Sequence, residues 1–241
     1  MTPAHKLPAL APFFARMNAM LVRRHFAGVH VRGLANLAAV DRSTPVLFFA
    51  NHSTWWDGLM IYLLNEQRLR RDTYLMMEER QFVRYSFFRW IGAFSVRRND
   101  ARDGLAALAY AGSLLNAPNR AVWMFPQGVL RPNEIRPLRF ESGLARIAHA
   151  APAARLIPVA MRTEFYHEQR PDFFLDIGTP VDVPAAASVQ DITALAAKAL
   201  TAQLDALRAD LIAGRVEGFH LLLRGKRSVN RAYDSARMID G

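Results

Sequence analysis

Six short apolar runs separated by helix-like stretches constrain this chain more than any other feature. The runs are residues 45–50 (PVLFFA), 73–77 (TYLMM), 93–97 (AFSVR), 121–125 (AVWMF), 156–161 (LIPVAM) and 173–178 (FFLDIG). Helical patterns fall at 59–65, 81–91, 103–116, 141–151 and 188–212. Strands alternating with helices of about 10–15 residues build βαβ units around a largely parallel, buried sheet. Pro158 interrupts one run and removes a ladder donor, which predicts an edge strand or a bulge there. No internal repeat, low-complexity tract or long linker divides the 241 residues. The expectation is a single α/β domain, with a mixed, mostly parallel sheet flanked by helices. Its boundaries are 1–32 for an N-terminal amphipathic segment, 33–213 for the α/β domain and 214–241 for a basic C-terminal extension.

The charge narrows the choice of partner. Thirty-one basic residues against 21 acidic ones leave +10, and all but Lys6, Lys198 and Lys226 are arginine. Such a surplus fits nucleic acid, an anionic bilayer surface or phosphorylated substrates. Between Arg68 and Arg102 nine arginines face four acids, with aromatics such as Tyr74, Phe82, Tyr85, Phe88 and Trp90 between them. That mixture also suits single strands of nucleic acid. No nucleic-acid motif accompanies it, so nucleic acid is not expected as a partner. The chain has no cysteine, which removes disulfides, thiolate metal sites and acyl-cysteine chemistry together. The histidines lack metal-ligand spacing, and no metal is expected.

No stretch reaches the ~20 apolar residues of a spanning helix. The longest apolar-leaning segment, residues 7–22, is broken by Pro8, Pro12, Arg16 and Asn18, and it does not read as a secretion signal. After Pro12, the residues Phe13, Phe14, Met17, Met20 and Leu21 share one broad helical face, with Arg16, Arg23, Arg24 and His25 around and beyond it. A basic amphipathic helix of this kind lies on a membrane surface or packs on the sheet; both readings stay open. A second basic cluster, Arg224, Lys226, Arg227, Arg231 and Arg237, follows the apolar run 219–223.

The chemistry sits directly after PVLFFA, in Asn51-His52-Ser53-Thr54-Trp55-Trp56-Asp57-Gly58. Open α/β sheets place reactive groups at the carboxyl ends of their strands. His52 suits a general base near neutral pH. A carboxylate accepting one of its ring N–H groups fixes the tautomer and stabilises the imidazolium. Five residues do not stack His52 and Asp57 on one helix face, so the pairing needs a turn that folds Asp57 back. Of Trp55 and Trp56, one is expected to pack inward and the other to stay on the loop.

Four segments in order resemble the glycerolipid acyltransferase family, which includes the lysophosphatidate acyltransferases. Its first block, Asn-His then Asp after four residues, is similar to Asn51, His52 and Asp57. Its second, Gly-x-x-Phe-x-x-Arg, looks like Gly92-Ala93-Phe94-Ser95-Val96-Arg97. Its third, Phe-Pro-Glu-Gly-Thr-Arg-Ser, is similar to Phe125-Pro126-Gln127-Gly128-Val129-Leu130-Arg131. Its fourth matches Ile157-Pro158-Val159-Ala160. The resemblance covers about residues 45–162.

What the resemblance implies is a glycerol-3-phosphate acyltransferase-like fold and O-acyl transfer from acyl-CoA or acyl carrier protein to a lipid hydroxyl, with no other cofactor. His52 and Asp57 are then the catalytic pair. Asn51, Gly92, Phe94, Arg97, Phe125, Pro126, Gln127, Gly128, Arg131 and Pro158 are the expected substrate-binding residues. With no cysteine and no Gly-x-Ser-x-Gly elbow, direct transfer without an acyl-enzyme is the economical route, and Ser53 is not the expected nucleophile. Backbone N–H groups around Gly128 are the candidates for the oxyanion. The third block departs from its family at Gln127, Val129 and Leu130, where an acid, a hydroxyl residue and an arginine stand. In the family the acid and the arginine are associated with binding the acceptor. The family's acceptor is a lysophospholipid such as 1-acylglycerol 3-phosphate, while Gln127 also suits a neutral one, a glycolipid or glycosylated carotenoid. A non-catalytic membrane-binding relative is the rival reading, opposed by the intact His52 and Asp57. The expected location is peripheral or monotopic on the cytoplasmic face of a membrane, against anionic lipid.

Overall fold

In a computed structural model, residues 1–165, 168–226 and 229 are described. Helix α1 (Ala11–His25) leads into β1 (Gly28–Arg32) and α2 (Leu34–Ala38). Then follow β2 (Val46–Ala50), α3 (Asp57–Leu64), β3 (Asp72–Glu78), α4 (Glu79–Arg84), β4 (Ala93–Val96) and α5 (Ala101–Leu114). The chain continues through β5 (Arg120–Met124), α6 (Gly143–Ala150), β6 (Arg155–Glu164), β7 (Asp172–Ile177), α7 (Val189–Ile212) and β8 (His220–Arg224). The strands form one eight-stranded sheet in the order β4-β3-β5-β2-β6-β7-β1-β8. Only β6·β7 and β1·β8 are antiparallel.

Strand β2 shows why its sequence is apolar throughout: every residue of it is fully buried. Leu47 and Phe49 face α5, α6 and α7, whereas Val46, Phe48 and Ala50 face α1 and α3. A parallel strand covered on both faces has no solvent side to mark with polar residues. Helix α7 starts at a capping box formed by Ser188 and Asp191. It buries Ile192, Ala196, Leu200, Leu204, Leu207 and Leu211 along one stripe against the sheet.

Three local expectations change. Pro158 lies in β6, which runs between β2 and β7 in the interior of the sheet rather than at an edge. The proline is tolerated because β6 changes partner along its length. Arg155 to Val159 pair with β2, and Val159 to Glu164 pair with β7. The Pro158 carbonyl accepts from Gly178 N at 2.9 Å, so its missing N–H faces the very end of the β7 ladder. The helix expected over 81–91 breaks at Tyr85 into α4 and a 3₁₀ turn, Ser86–Ile91. The break lets Phe82 and Phe88 enter one cluster with Phe14 and Leu59. Finally, β1 falls within residues 1–32 and β8 within 214–241, so each appendage gives a strand to the sheet. Of the second basic cluster, Arg227, Arg231 and Arg237 lie outside the described residues.

The first residues are also fixed. Thr2 exchanges bonds with Ser95 of β4, its N–H to Ser95 Oγ at 2.7 Å and its carbonyl accepting Ser95 N at 2.9 Å. Phe14, Asn18 and Val22 of α1 are buried, with Asn18 Nδ2 donating to the Leu59 carbonyl at 2.9 Å. Packing on the molecule therefore claims one side of α1. Its other side leaves Phe13 at 69% and Met20 at 61% exposure, along with Arg16, Arg23 and Arg24. Among the described residues, no helix is long and apolar enough to cross a membrane.

Candidate active site

The loop leaving β2 turns at once into α3, whose first residue is Asp57. That turn supplies the fold-back the sequence spacing demands. His52 Nδ1 lies 2.8 Å from Asp57 Oδ2. The same carboxylate accepts Ser53 N at 2.8 Å, Thr54 N at 3.0 Å and Thr54 Oγ1 at 2.6 Å. Asp57 is wholly buried, while the His52 side chain keeps 24% of its surface exposed. A carboxylate at the first turn of a helix also meets the positive end of the helix dipole. The arrangement fixes one ring nitrogen of His52 and leaves the other edge to meet a substrate.

Phe125 stacks on the His52 ring at 4.0 Å and 11°. Gln127, buried, accepts the His52 backbone N–H on its Oε1 at 3.2 Å, and the Arg131 N–H donates to the His52 carbonyl at 2.8 Å. Asn51 locks the strand end to β6: its Oδ1 accepts Met161 N and its Nδ2 donates to Met161 O, both at 2.8 Å. The Pro126 carbonyl accepts Glu141 N at 2.8 Å, closing the far end of the same loop. Trp56 packs edge-on against Phe26 at 5.0 Å, and Trp55 stays 49% exposed.

Other expected site residues take their contacts outside the loop that carries His52. Phe94 is fully buried against Tyr110 of α5, and Pro158 lies within the sheet beside Phe49. Gly92 ends the 3₁₀ turn at φ 113°, where a Cβ would sit 2.4 Å from the Thr73 carbonyl oxygen. Its role is a close backbone approach. Arg97 is held by Glu79 at 2.7 Å, Asp100 at 3.7 Å and Asp103 at 3.9 Å. The neighbouring Arg98 instead reaches the third block: a Cβ on Gly128 would lie 3.0 Å from its guanidinium. Counted from Gly92, the second block's arginine position falls on Arg98, while its phenylalanine position falls on Ser95. The Gly128 N–H donates to the Phe125 carbonyl at 2.9 Å, so that amide is spent and does not await an oxyanion. Sequence reading also passed over Thr54, which binds both Asp57 oxygens, and Asn133, which accepts from Asn51 Nδ2 at 2.8 Å.

A model of the family described as "Acyltransferase" matches residues 28–162, more than half of the chain. Among solved structures, the chain is similar in fold to the 1-acyl-sn-glycerophosphate acyltransferase of Thermotoga maritima. The TM-score is 0.56 at 18% identity, covering 83% of this chain and 81% of that one. A comparison with curated proteins gives no match.

Proposed function

The chain belongs to the acyltransferase family, and from that premise we propose that it transfers a fatty acyl group from a CoA or carrier-protein thioester to the hydroxyl of a lysophospholipid such as 1-acylglycerol 3-phosphate. The observation that carries the reading is the 2.8 Å contact between His52 Nδ1 and the buried Asp57 carboxylate at the end of β2. In this mechanism the free ring nitrogen of His52 takes the proton of the acceptor hydroxyl as its oxygen attacks the thioester carbonyl. Asp57 holds the imidazolium through the other nitrogen. The tetrahedral intermediate collapses, the carbon–sulfur bond breaks, and the proton passes from His52 to the departing thiolate. No acyl-enzyme forms.

Support for a phosphorylated acceptor comes from Arg98, whose guanidinium lies beside the Gly128 turn with Glu141 as a distant ionic partner at 3.8 Å. A planar, permanently charged fork suits a phosphate. Gln127 spends its oxygen on the His52 backbone, so its replacement of an acid is compatible with the family's acceptor. Support for work at an anionic lipid surface is the outward side of α1, where Phe13 and Met20 stand among Arg16, Arg23 and Arg24.

The test supplies purified protein with labelled acyl-CoA, or acyl carrier protein, and two acceptor pools, lysophospholipid and neutral glycolipid. Acylated phospholipid that disappears in His52→Ala is the expected result. Product in the glycolipid pool alone refutes the phosphorylated acceptor. Full activity in His52→Ala refutes the mechanism.

A further inference from the structure

The His52 peptide is gripped on both sides by the loop that follows β5, at its N–H by Gln127 and at its carbonyl by Arg131. A further grip acts one residue earlier. Asn51 is 2% exposed, and its side-chain amide donates one N–H to Met161 O and the other to Asn133 Oδ1. Asn133 belongs to none of the four sequence blocks, and it is itself fastened. Its carbonyl accepts Arg136 Nη1 at 2.6 Å, and Arg136 Nε continues to Asp205 of α7 at 3.0 Å. The next residue, Glu134, bridges Arg162 at the end of β6 (2.8 Å) and Arg208 of α7 (3.3 Å). A strap anchored on α7 and β6 thus ends on the amide of the residue before the base.

We propose that Asn133 is a positioning residue for His52, acting through Asn51. The proposal rests on the acyl-transfer reading and adds a residue to its machinery. Without the Asn133 oxygen, one N–H of a buried amide loses its partner, and Asn51 must turn or admit water. Either response shifts the strand end from which His52 projects. A general base tolerates little displacement, because the acceptor hydroxyl must lie within hydrogen-bond reach of its nitrogen.

The variants that separate positioning from plain stability are Asn133→Leu, which keeps the volume and removes the acceptor, and Asn133→Asp, which keeps an accepting oxygen. If the leucine variant does not fold, Asn133→Ser, too short to reach Asn51, takes its place. The expected result is a kcat about tenfold lower in Asn133→Leu, with both KM values within about twofold and most of the rate restored in Asn133→Asp. An unchanged kcat in Asn133→Leu, or equal losses in both variants, overturns the proposal. A second readout is independent of turnover: the ring N–H of His52 in nitrogen-resolved NMR. It is expected sharp in the wild type and in Asn133→Asp, and broadened in Asn133→Leu. If the wild type acylates neither acceptor pool, the functional reading falls while that pattern still carries the positioning role. Three identical spectra refute it.

Discussion

At the scale of single residues, the proposed mechanism divides the site into a pair that acts and neighbours that hold it. Asp57 receives its donors from the loop that carries His52, so Asp57→Asn removes the tautomer control while leaving the turn nearly the same size. The expected loss in kcat is on the order of a hundredfold or more, read by steady-state kinetics on protein with unchanged circular dichroism. The two adjacent arginines give a sharper test. Arg98→Ala is expected to raise the acceptor KM about tenfold or more, whereas Arg97→Ala leaves it within about twofold, since removing one good charge-assisted contact is worth about 1.5–3 kcal/mol. Choosing between them from sequence fails for a physical reason: consecutive residues leaving a strand point to opposite sides, so a one-residue ambiguity reverses the assignment. The His52–Asp57 pair was legible because its spacing is short and its loop follows an unmistakable strand. Asn133 was not, because its partner lies 82 residues away.

Elements show the same limit in another form. The buried strands were readable from runs of apolar residues, and α7 from the long helical pattern at 188–212. β1 (GVHVR) sets polar residues beside its two valines, and the apolar run that becomes β8 (HLLLR) is too short to be told from a helical turn, so their pairing partners make them strands. Gly92 sits at an element junction, between the 3₁₀ turn and β4. Gly92→Ala is expected to destabilise the fold by about 1–3 kcal/mol or more, measured by denaturant unfolding, because it combines a left-handed φ with a clash on the β3 backbone. The strap between β5 and α6 has its own pH signature. The hydrogen bond from Arg162 holds Glu134 below the usual carboxylate range; partial burial opposes this, and the charges of Arg162, Arg208 and Arg136 reinforce it. With the folded value depressed, the contribution of Glu134 is complete above the unfolded value of about 4.3 and is lost as pH falls through the lower folded one. The Tm difference between wild type and Glu134→Gln is therefore expected to be present near neutrality and to vanish in acid. A difference that grows in acid contradicts the assignment.

Over the whole molecule, the proposed lipid-facing surface is the outward side of α1, where Phe13 and Met20 stand among Arg16, Arg23 and Arg24. Removing residues 1–30 would not test it, because Thr2 is paired with β4, Val22 is in the core and β1 begins at Gly28. Phe13→Glu with Met20→Glu leaves those contacts alone. The double variant is expected to lose flotation with anionic vesicles, and wild-type flotation is expected to weaken with salt. Retained, salt-independent flotation refutes the surface. The pairing of β1 has a consequence on another timescale. Its only neighbours in the sheet are β7 and β8, and the His30–Asp172 contact joins residues 142 apart. During synthesis at about 5–20 residues per second, Val29 and Val31 leave the ribosome on the order of ten seconds before the strands that pair with β1 exist. A nascent chain stopped before Asp172 carries β1 unpaired, with Val29 and Val31 uncovered, so such intermediates are natural clients for chaperones, and the first strand made is among the last to be completed.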